Sequence, residues 1–278
     1  MNGALVNGRP SSGVSLHDRG FLYGEGVFET IAVRDARPLN LDRHLARLSR
    51  GCERLSIPPP DPGLLSSEAH RLMGDHDRAV LRIMVTGGEG DRGYAPPVAR
   101  SPNRILMISP WPDRLERFGT RGISVTVCRT RLALNPPLAG IKHLNRLEQV
   151  LARSELGGEY QEGIVRDMEG NVVEGTSANL MLISRERLVT PDLSRCGIEG
   201  IMRDRILEAA SLLGIPVEIR IVPLEEVLGA ETLFFTNVVV GMRHVSRVGD
   251  RDFDVHPWVE ALRATVQRRE AGSGMTET

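Results

Sequence analysis

The periodicity of this 278-residue chain breaks at Pro110-Trp111-Pro112-Asp113, and strand-like apolar runs mix with amphipathic helical stretches on both sides of the break. No internal repeat is present, so a repeat array is excluded, and the mixture of periods in each half excludes an all-helical or all-strand chain. The pattern predicts an α/β (α+β) fold in two domains. A smaller one covers residues 1–112, a linker 113–120, a larger one 121–271, and a disordered tail 272–278.

In the first half, residues 27–33 read as a strand and Asp35-Ala36-Arg37 as a turn. Leu41, Leu45, Leu48, Cys52 and Leu55 recur at helical spacing, which predicts a helix over 41–56 that Pro58-Pro59-Pro60 ends. Asp61-Pro62 is a cap followed by a first-turn proline, and opens a helix to about Gly74. Strands over 79–86 and 104–109 flank a flexible loop, Gly87-Gly88-Glu89-Gly90-Asp91-Arg92-Gly93-Tyr94. The second half predicts a strand over 123–128 and a helix from Lys142 to Leu156. Two strands follow around a turn at Glu169-Gly170-Asn171, then a strand over 178–183 and a helix over 198–213. Strands near 217–221 and 232–236 precede a closing helix over 257–269.

The formal net charge of -1 gives no basic excess for nucleic acid and no acidic tail. There is no run of roughly 18 apolar residues and no charged start followed by an apolar stretch. These features place the chain in the cytoplasm, without a membrane or nucleic-acid partner. Cys52, Cys128 and Cys196 are three in number and far apart, which suits neither a disulfide framework nor a Cys-x-x-Cys metal site. They read as reduced thiols, and no metal is expected.

Of the 35 Lys and Arg residues only Lys142 is a lysine. For surface charge, Arg and Lys often substitute for one another; for chemistry they do not. A guanidinium keeps its proton, whereas a desolvated amine can lose one and attack a carbonyl. Leu138 and Ile141 precede Lys142 in Leu138-Ala139-Gly140-Ile141-Lys142-His143, a setting expected to desolvate the amine at a loop-to-helix junction. His143 is adjacent, but neighbouring side chains on a helix face different ways, which speaks against a general-base role. Glu174 ends a strand-like run in Val172-Val173-Glu174-Gly175-Thr176, where its carboxylate could pair with a protonated ring nitrogen. Ile198-Glu199-Gly200-Ile201-Met202-Arg203 opens a helix whose free N–H groups suit a phosphate. Read alone, Glu174 would be an exposed strand end, Gly200 a plain turn and Arg47 a solvated helix charge.

Together these residues resemble the fold-type IV pyridoxal-phosphate enzymes, which include branched-chain aminotransferases, D-amino-acid transaminases and aminodeoxychorismate lyases. Five blocks carry the likeness over nearly the whole chain. They are Asp18-Arg19-Gly20-Phe21-Leu22-Tyr23-Gly24-Glu25-Gly26-Val27-Phe28-Glu29-Thr30, His44-Leu45-Ala46-Arg47-Leu48, the Lys142 and Glu174 segments, and Gly200-Ile201-Met202-Arg203-Asp204. The resemblance implies a two-domain enzyme with its site between a smaller N-terminal α/β domain and a larger C-terminal one, and a homodimer. It implies pyridoxal 5'-phosphate carried on Lys142. Glu174 would hold the pyridine nitrogen, and Arg47 with the backbone at Ile201 and Met202 would hold the phosphate.

Within the family, Asn135-Pro136-Pro137-Leu138-Ala139-Gly140-Ile141-Lys142-His143-Leu144-Asn145-Arg146-Leu147-Glu148-Gln149 is most similar to the lyases' lysine segment, and Gly90-Asp91-Arg92-Gly93-Tyr94 to their Gly-x-Arg-Gly-Tyr loop. Thr236-Asn237 sits where lyases have an asparagine. Val238-Val239-Val240 stands where transaminases tend to carry Ser and Thr, and Gly241-Met242-Arg243-His244 matches no pattern in either group. The expectation is conversion of 4-amino-4-deoxychorismate to 4-aminobenzoate and pyruvate, a step toward folate. Arg92 would contact a substrate carboxylate, and Asn237 would supply a neutral hydrogen bond. A fold-type IV transaminase and a catalytically silent cofactor-binding relative remain the alternatives.

Overall fold

The computed structural model describes residues 3–112 and 122–272. The expected linker over 113–120 and the tail beyond 272 lie outside them. The chain divides into two compact units. One gathers the chain through Pro112 together with Ile141–Arg146; the other takes the remainder, through Gly140 and again from Leu147.

The first unit is a six-stranded antiparallel sheet with two helices on one face. Its strands are β1 (Ala4–Val6), β2 (Arg9–Pro10), β3 (Gly26–Arg34), β4 (Arg37–Pro38), β5 (Arg78–Thr86) and β6 (Arg104–Pro110), ordered β2-β1-β6-β5-β3-β4. Those two helices are α2 (Leu41–Arg54) and α3 (Pro62–Met73), and a short α1 (Arg19–Tyr23) precedes β3. Side chains alternate along a strand. Val27, Ile31 and Val33 of β3 therefore meet Leu41, Leu45, Leu48 and Cys52 of α2 in one core with Leu81, Ile83 and Leu106. Asp61 caps α3 by accepting from the N–H groups of Gly63 at 2.6 Å and Leu64 at 3.2 Å, and Pro62 fills its first turn. The five-residue α1 is too short to show a period; Asp18 caps it and Gly24, at φ 66°, ends it.

The second unit is a nine-stranded mixed sheet. Its strands are β7 (Ile123–Leu132), β8 (Glu162–Asp167), β9 (Val172–Gly175), β10 (Asn179–Ser184), β11 (Arg187–Pro191), β12 (Val217–Arg220), β13 (Thr232–Asn237), β14 (Gly241–Val248) and β15 (Arg251–Asp252). The order is β12-β11-β10-β13-β14-β7-β8-β9, with β15 on β14. Val172 N–H donates to the carbonyl of Val222, two residues past β12, at 2.8 Å, so the sheet curls until its ends meet. Inside lie Val125, Ile164, Leu180, Leu182 and Phe235. Outside, Met181, Ile183 and Phe234 pack on α5 (Ile201–Leu212) and α7 (Pro257–Gly272). A further core joins Val165 and Val173 to α4 (Leu147–Ser154), and α6 (Leu224–Gly229) completes the unit. Strands covered on both faces read as continuous apolar runs.

Two expectations need correction. The predicted second domain is not continuous, because Ile141–Arg146 joins the first unit. The predicted helix from Lys142 does not begin there: α4 starts at Leu147. The backbone of 142–144 is already used by β3. Phe28 N–H donates to the Lys142 carbonyl, and Leu144 N–H to the Gly26 carbonyl, both at 2.9 Å. Val27 and His143 form an antiparallel bridge. A backbone paired in this way cannot also make the i to i−4 bonds of a helix.

Candidate active site

In the first unit Lys142 extends from this strand-like segment, and its Nζ lies 4.5 Å from the centroid of the Phe28 ring. Phe28 is buried and comes from β3, the strand on which the segment is zipped. The apolar setting expected for the amine is thus supplied by Phe28 rather than by a helix start. His143, adjacent in an extended segment, projects to the opposite side from Lys142. Its Nε2 contacts the Arg146 guanidinium, and burial followed by that charge pushes its pKa down to about 4. This leaves His143 neutral and turned away from the lysine.

On the helix-covered face, Glu29 interrupts the apolar series of β3. Its carboxylate is fully buried and accepts from Arg47 Nε at 2.8 Å and Nη2 at 2.6 Å, and lies 2.6 Å from His44 Nδ1. His44 and Arg47 are three apart on α2 and so share one side of it. Burial alone would raise the Glu29 pKa. The Arg47 charge and hydrogen bonds, helped by His44, outweigh that and hold it at about 2. Arg47 is therefore a buried guanidinium with a fixed orientation. Sequence reasoning found Arg47 but missed Glu29 and His44. The available signal was a carboxylate in the buried phase of β3 beside a His and an Arg in the buried phase of α2.

The loop carrying Arg92 is tied down from beneath. Buried Arg19 donates from Nη1 to the carbonyls of Gly93 at 3.0 Å and Ala95 at 3.3 Å, and from Nη2 to that of Tyr94 at 2.8 Å; it also pairs with Glu25. A Cβ at Gly90 would sit 3.0 Å from Arg19 Cδ, and one at Gly87 2.9 Å from Glu25 Cδ, so the glycines permit the close approach. Arg92 and Tyr94 stay exposed on the loop.

In the second unit Glu174 is buried on β9, and its Oε2 accepts the Ile198 N–H at 2.9 Å. That bond ties the carboxylate to the turn that starts α5. Gly200 precedes the helix, and the N–H groups of Ile201 and Met202 belong to its first turn, where no intrahelical acceptor exists. A Cβ at Gly200 would lie 1.9 Å from Asn179 Oδ1, so only glycine leaves the turn as it is. Asn179 pairs across the sheet with Thr236, whose buried Oγ1 has no hydrogen-bond partner. Asn237 is committed: its Oδ1 accepts from the N–H groups of Val239 at 3.0 Å and Val240 at 2.9 Å, and its Nδ2 donates to the Ser177 carbonyl at 3.1 Å. It shapes the turn between β13 and β14, a strand the sequence reading did not identify. Lys142, Arg47 and Arg92 thus fall in the first unit, and Glu174, Ile201, Met202 and Asn237 in the second.

The amino-transferase class IV pattern matches residues 26–248, and the chain belongs to that family. Among individual relatives, it is similar to the aminodeoxychorismate lyase of Vibrio harveyi, with 33% identity over 244 residues, covering 87% of this chain and 90% of the relative. The solved 4-amino-4-deoxychorismate lyase of Pseudomonas aeruginosa superposes with a TM-score of 0.91 at 44% identity, covering 95% of this chain and 98% of that one. A putative branched-chain-amino-acid aminotransferase of Methanocaldococcus jannaschii is 32% identical over 256 residues, covering 90% of this chain and 88% of the relative. Among the described residues no helix is long and apolar enough to cross a membrane.

Proposed function

We propose that the protein is an aminodeoxychorismate lyase that converts 4-amino-4-deoxychorismate to 4-aminobenzoate and pyruvate with pyridoxal 5'-phosphate as cofactor. The observation that carries this reading is the whole-chain likeness to the solved lyase. The residues also fit the cofactor. A fixed cationic Arg47, the first-turn amides of α5 and an unpartnered hydroxyl at Thr236 are suited to a phosphate. The chain's one lysine is placed on an aromatic ring, and Glu174 is held by a backbone bond.

Pyridoxal phosphate supplies an electron sink for the pair released when a C–H bond breaks beside the substrate amine. Lys142 Nζ would be the attachment point and, as a neutral amine, the base for the proton on the amine-bearing ring carbon. Loss of that proton and cleavage of the ring carbon–oxygen bond aromatise the ring. The enolpyruvyl group leaves and, on gaining a proton, becomes pyruvate. Glu174 would keep a proton on the pyridine nitrogen. Arg47 and the amides of Ile201 and Met202 would hold the phosphate, and Arg92 would meet a substrate carboxylate. The enzyme acts as a cytoplasmic homodimer on a small molecule, with neither nucleic acid nor membrane as a partner.

The test is to incubate the cofactor-loaded protein with 4-amino-4-deoxychorismate and follow 4-aminobenzoate. Its formation without an amino acceptor supports the lyase. Absence of 4-aminobenzoate, with an amino acid converting the cofactor to its pyridoxamine form, would make the protein a transaminase.

A further inference from the structure

Arg92 is exposed on its loop, but the backbone around it is held at both ends by the segment that runs from α1 into β3. At the entry, Arg19 N–H donates to the carbonyl of Gly88 at 2.8 Å, and Gly87 N–H to that of Glu25 at 2.9 Å. At the exit, the buried Arg19 guanidinium reaches three consecutive carbonyls, those of Gly93, Tyr94 and Ala95. Its Nε pairs with Glu25 Oε2, while Glu25 Oε1 accepts from Arg100 Nη1 at 2.9 Å. Tyr23 closes the arrangement. Its hydroxyl accepts the Gly93 N–H at 3.2 Å, its ring centroid lies 5.0 Å from the Arg19 guanidinium carbon, and it meets Tyr94 edge-on with centroids 5.3 Å apart.

We propose that Arg19 is a positioning residue for the substrate: it holds the backbone that follows Arg92, so that the Arg92 guanidinium meets a carboxylate without the loop having to order first. A guanidinium suits this task because its donors spread over a planar fork, which serves separate carbonyls while Nε stays on Glu25. A lysine ammonium directs its three donors from one point and cannot span the same three carbonyls. A loose loop would give up backbone freedom at every binding event, whereas a loop tied in this way gives it up once, on folding. Glu25 balances the buried charge of Arg19 and also reaches Arg100, so the loop and the chain leaving it are anchored on one carboxylate. The proposal rests on the reading of Arg92 as a carboxylate contact and names what orients that side chain.

The experiment is a mutational cycle on the cofactor-loaded protein: parent, Arg19→Lys, Arg92→Met and the double variant. Arg19→Lys keeps a cation opposite Glu25, which guards against a folding failure, and Arg19→Met is the harsher version. KM and kcat for 4-amino-4-deoxychorismate are measured for each, with calorimetric affinity for isophthalate, a ring dicarboxylate. Arg19→Lys is expected to raise KM roughly 10- to 100-fold, the scale of ordering one or two loop residues at binding, with a much smaller change in kcat. In the Arg92→Met background the same change should add less than about twofold, because Arg19 acts through Arg92. Trypsin cleavage after Arg92, which needs the loop to leave its ties, should be at least about tenfold faster in Arg19→Lys than in the parent. Equal KM increases with and without Arg92, or parental KM and isophthalate affinity in both Arg19 variants, overturn the proposal. If the parent makes no 4-aminobenzoate, the lyase reading fails, and the same cycle read by isophthalate affinity still decides whether Arg19 acts through Arg92. A parent that does not bind isophthalate either leaves Arg92 without a carboxylate to meet and overturns the proposal.

Discussion

Glu29 and Arg47 form a two-point pair in which both carboxylate oxygens are engaged and the carboxylate is shut off from solvent. The pair fixes the plane of the guanidinium before any anion arrives, which lowers the ordering cost of binding one. If Arg47 holds the cofactor's phosphate as proposed, Glu29 would act on that phosphate through Arg47, as a positioning residue.

Removing the Glu29 charge should be costly. Glu29→Gln leaves Arg47 buried without its counter-charge, and the expected loss of stability at neutral pH is about 3–5 kcal/mol. The pH dependence has a definite sign. The folded-state pKa of about 2 lies below the ordinary 4.5, so the stabilisation is complete above 4.5 and disappears as pH falls from 4.5 to about 2. Denaturant unfolding followed by circular dichroism across that window checks this. Parent and variant curves that fall in parallel would show that Glu29 is not the responsible group.

Lys142→Arg should fold, because β3 pairs with the backbone of the segment and not with its side chain. It should be unable to fix the cofactor on borohydride treatment and should have no turnover, since a guanidinium with a pKa above about 12 cannot supply the neutral amine. Peptide mapping of the borohydride-treated parent should place the label at Lys142. A folded and active Lys142→Arg protein would remove both the attachment point and the base from the mechanism.

Glu174→Gln keeps an oxygen able to accept the Ile198 N–H, so fold and cofactor content should survive. Turnover should fall by roughly a hundredfold or more, the scale of losing one charge-stabilising group. Activity within a few-fold of the parent would mean that Glu174 has no part in holding the pyridine nitrogen.

Asn237→Ala removes both acceptor bonds to the 239–240 amides and the tie to Ser177. The expected cost is about 1–2 kcal/mol of stability, comparable to the loss of a capping side chain. A raised KM with an unchanged unfolding transition would instead return Asn237 to the substrate.

Much of the fold was legible because burial follows period. Leu41, Leu45, Leu48 and Cys52 announced α2, and Asp61-Pro62 announced the start of α3. Lys142 stood out because Arg occupies every other basic position. What failed were features set by distant partners. The 142–144 segment carries no strand signal of its own, since its partners, Gly26 and Phe28, lie over a hundred residues earlier. Glu29 reads as a charge in a strand until Arg47 and His44 are seen opposite it. Asn237 matched by position, but its amide turned out to be occupied by its own turn.

The way the sheets end bears on how the chain behaves when crowded. In the first unit both outer strands, β2 and β4, are two residues long, and each is an arginine followed by a proline. In the second, Val172 meets Val222 across the seam. A foreign strand seeking main-chain hydrogen bonds finds a short charged stub lacking an N–H at one end, or a rim already paired at that point. Fibrous self-association by strand addition is therefore disfavoured in the folded protein, and aggregation on heating should follow the unfolding transition rather than precede it.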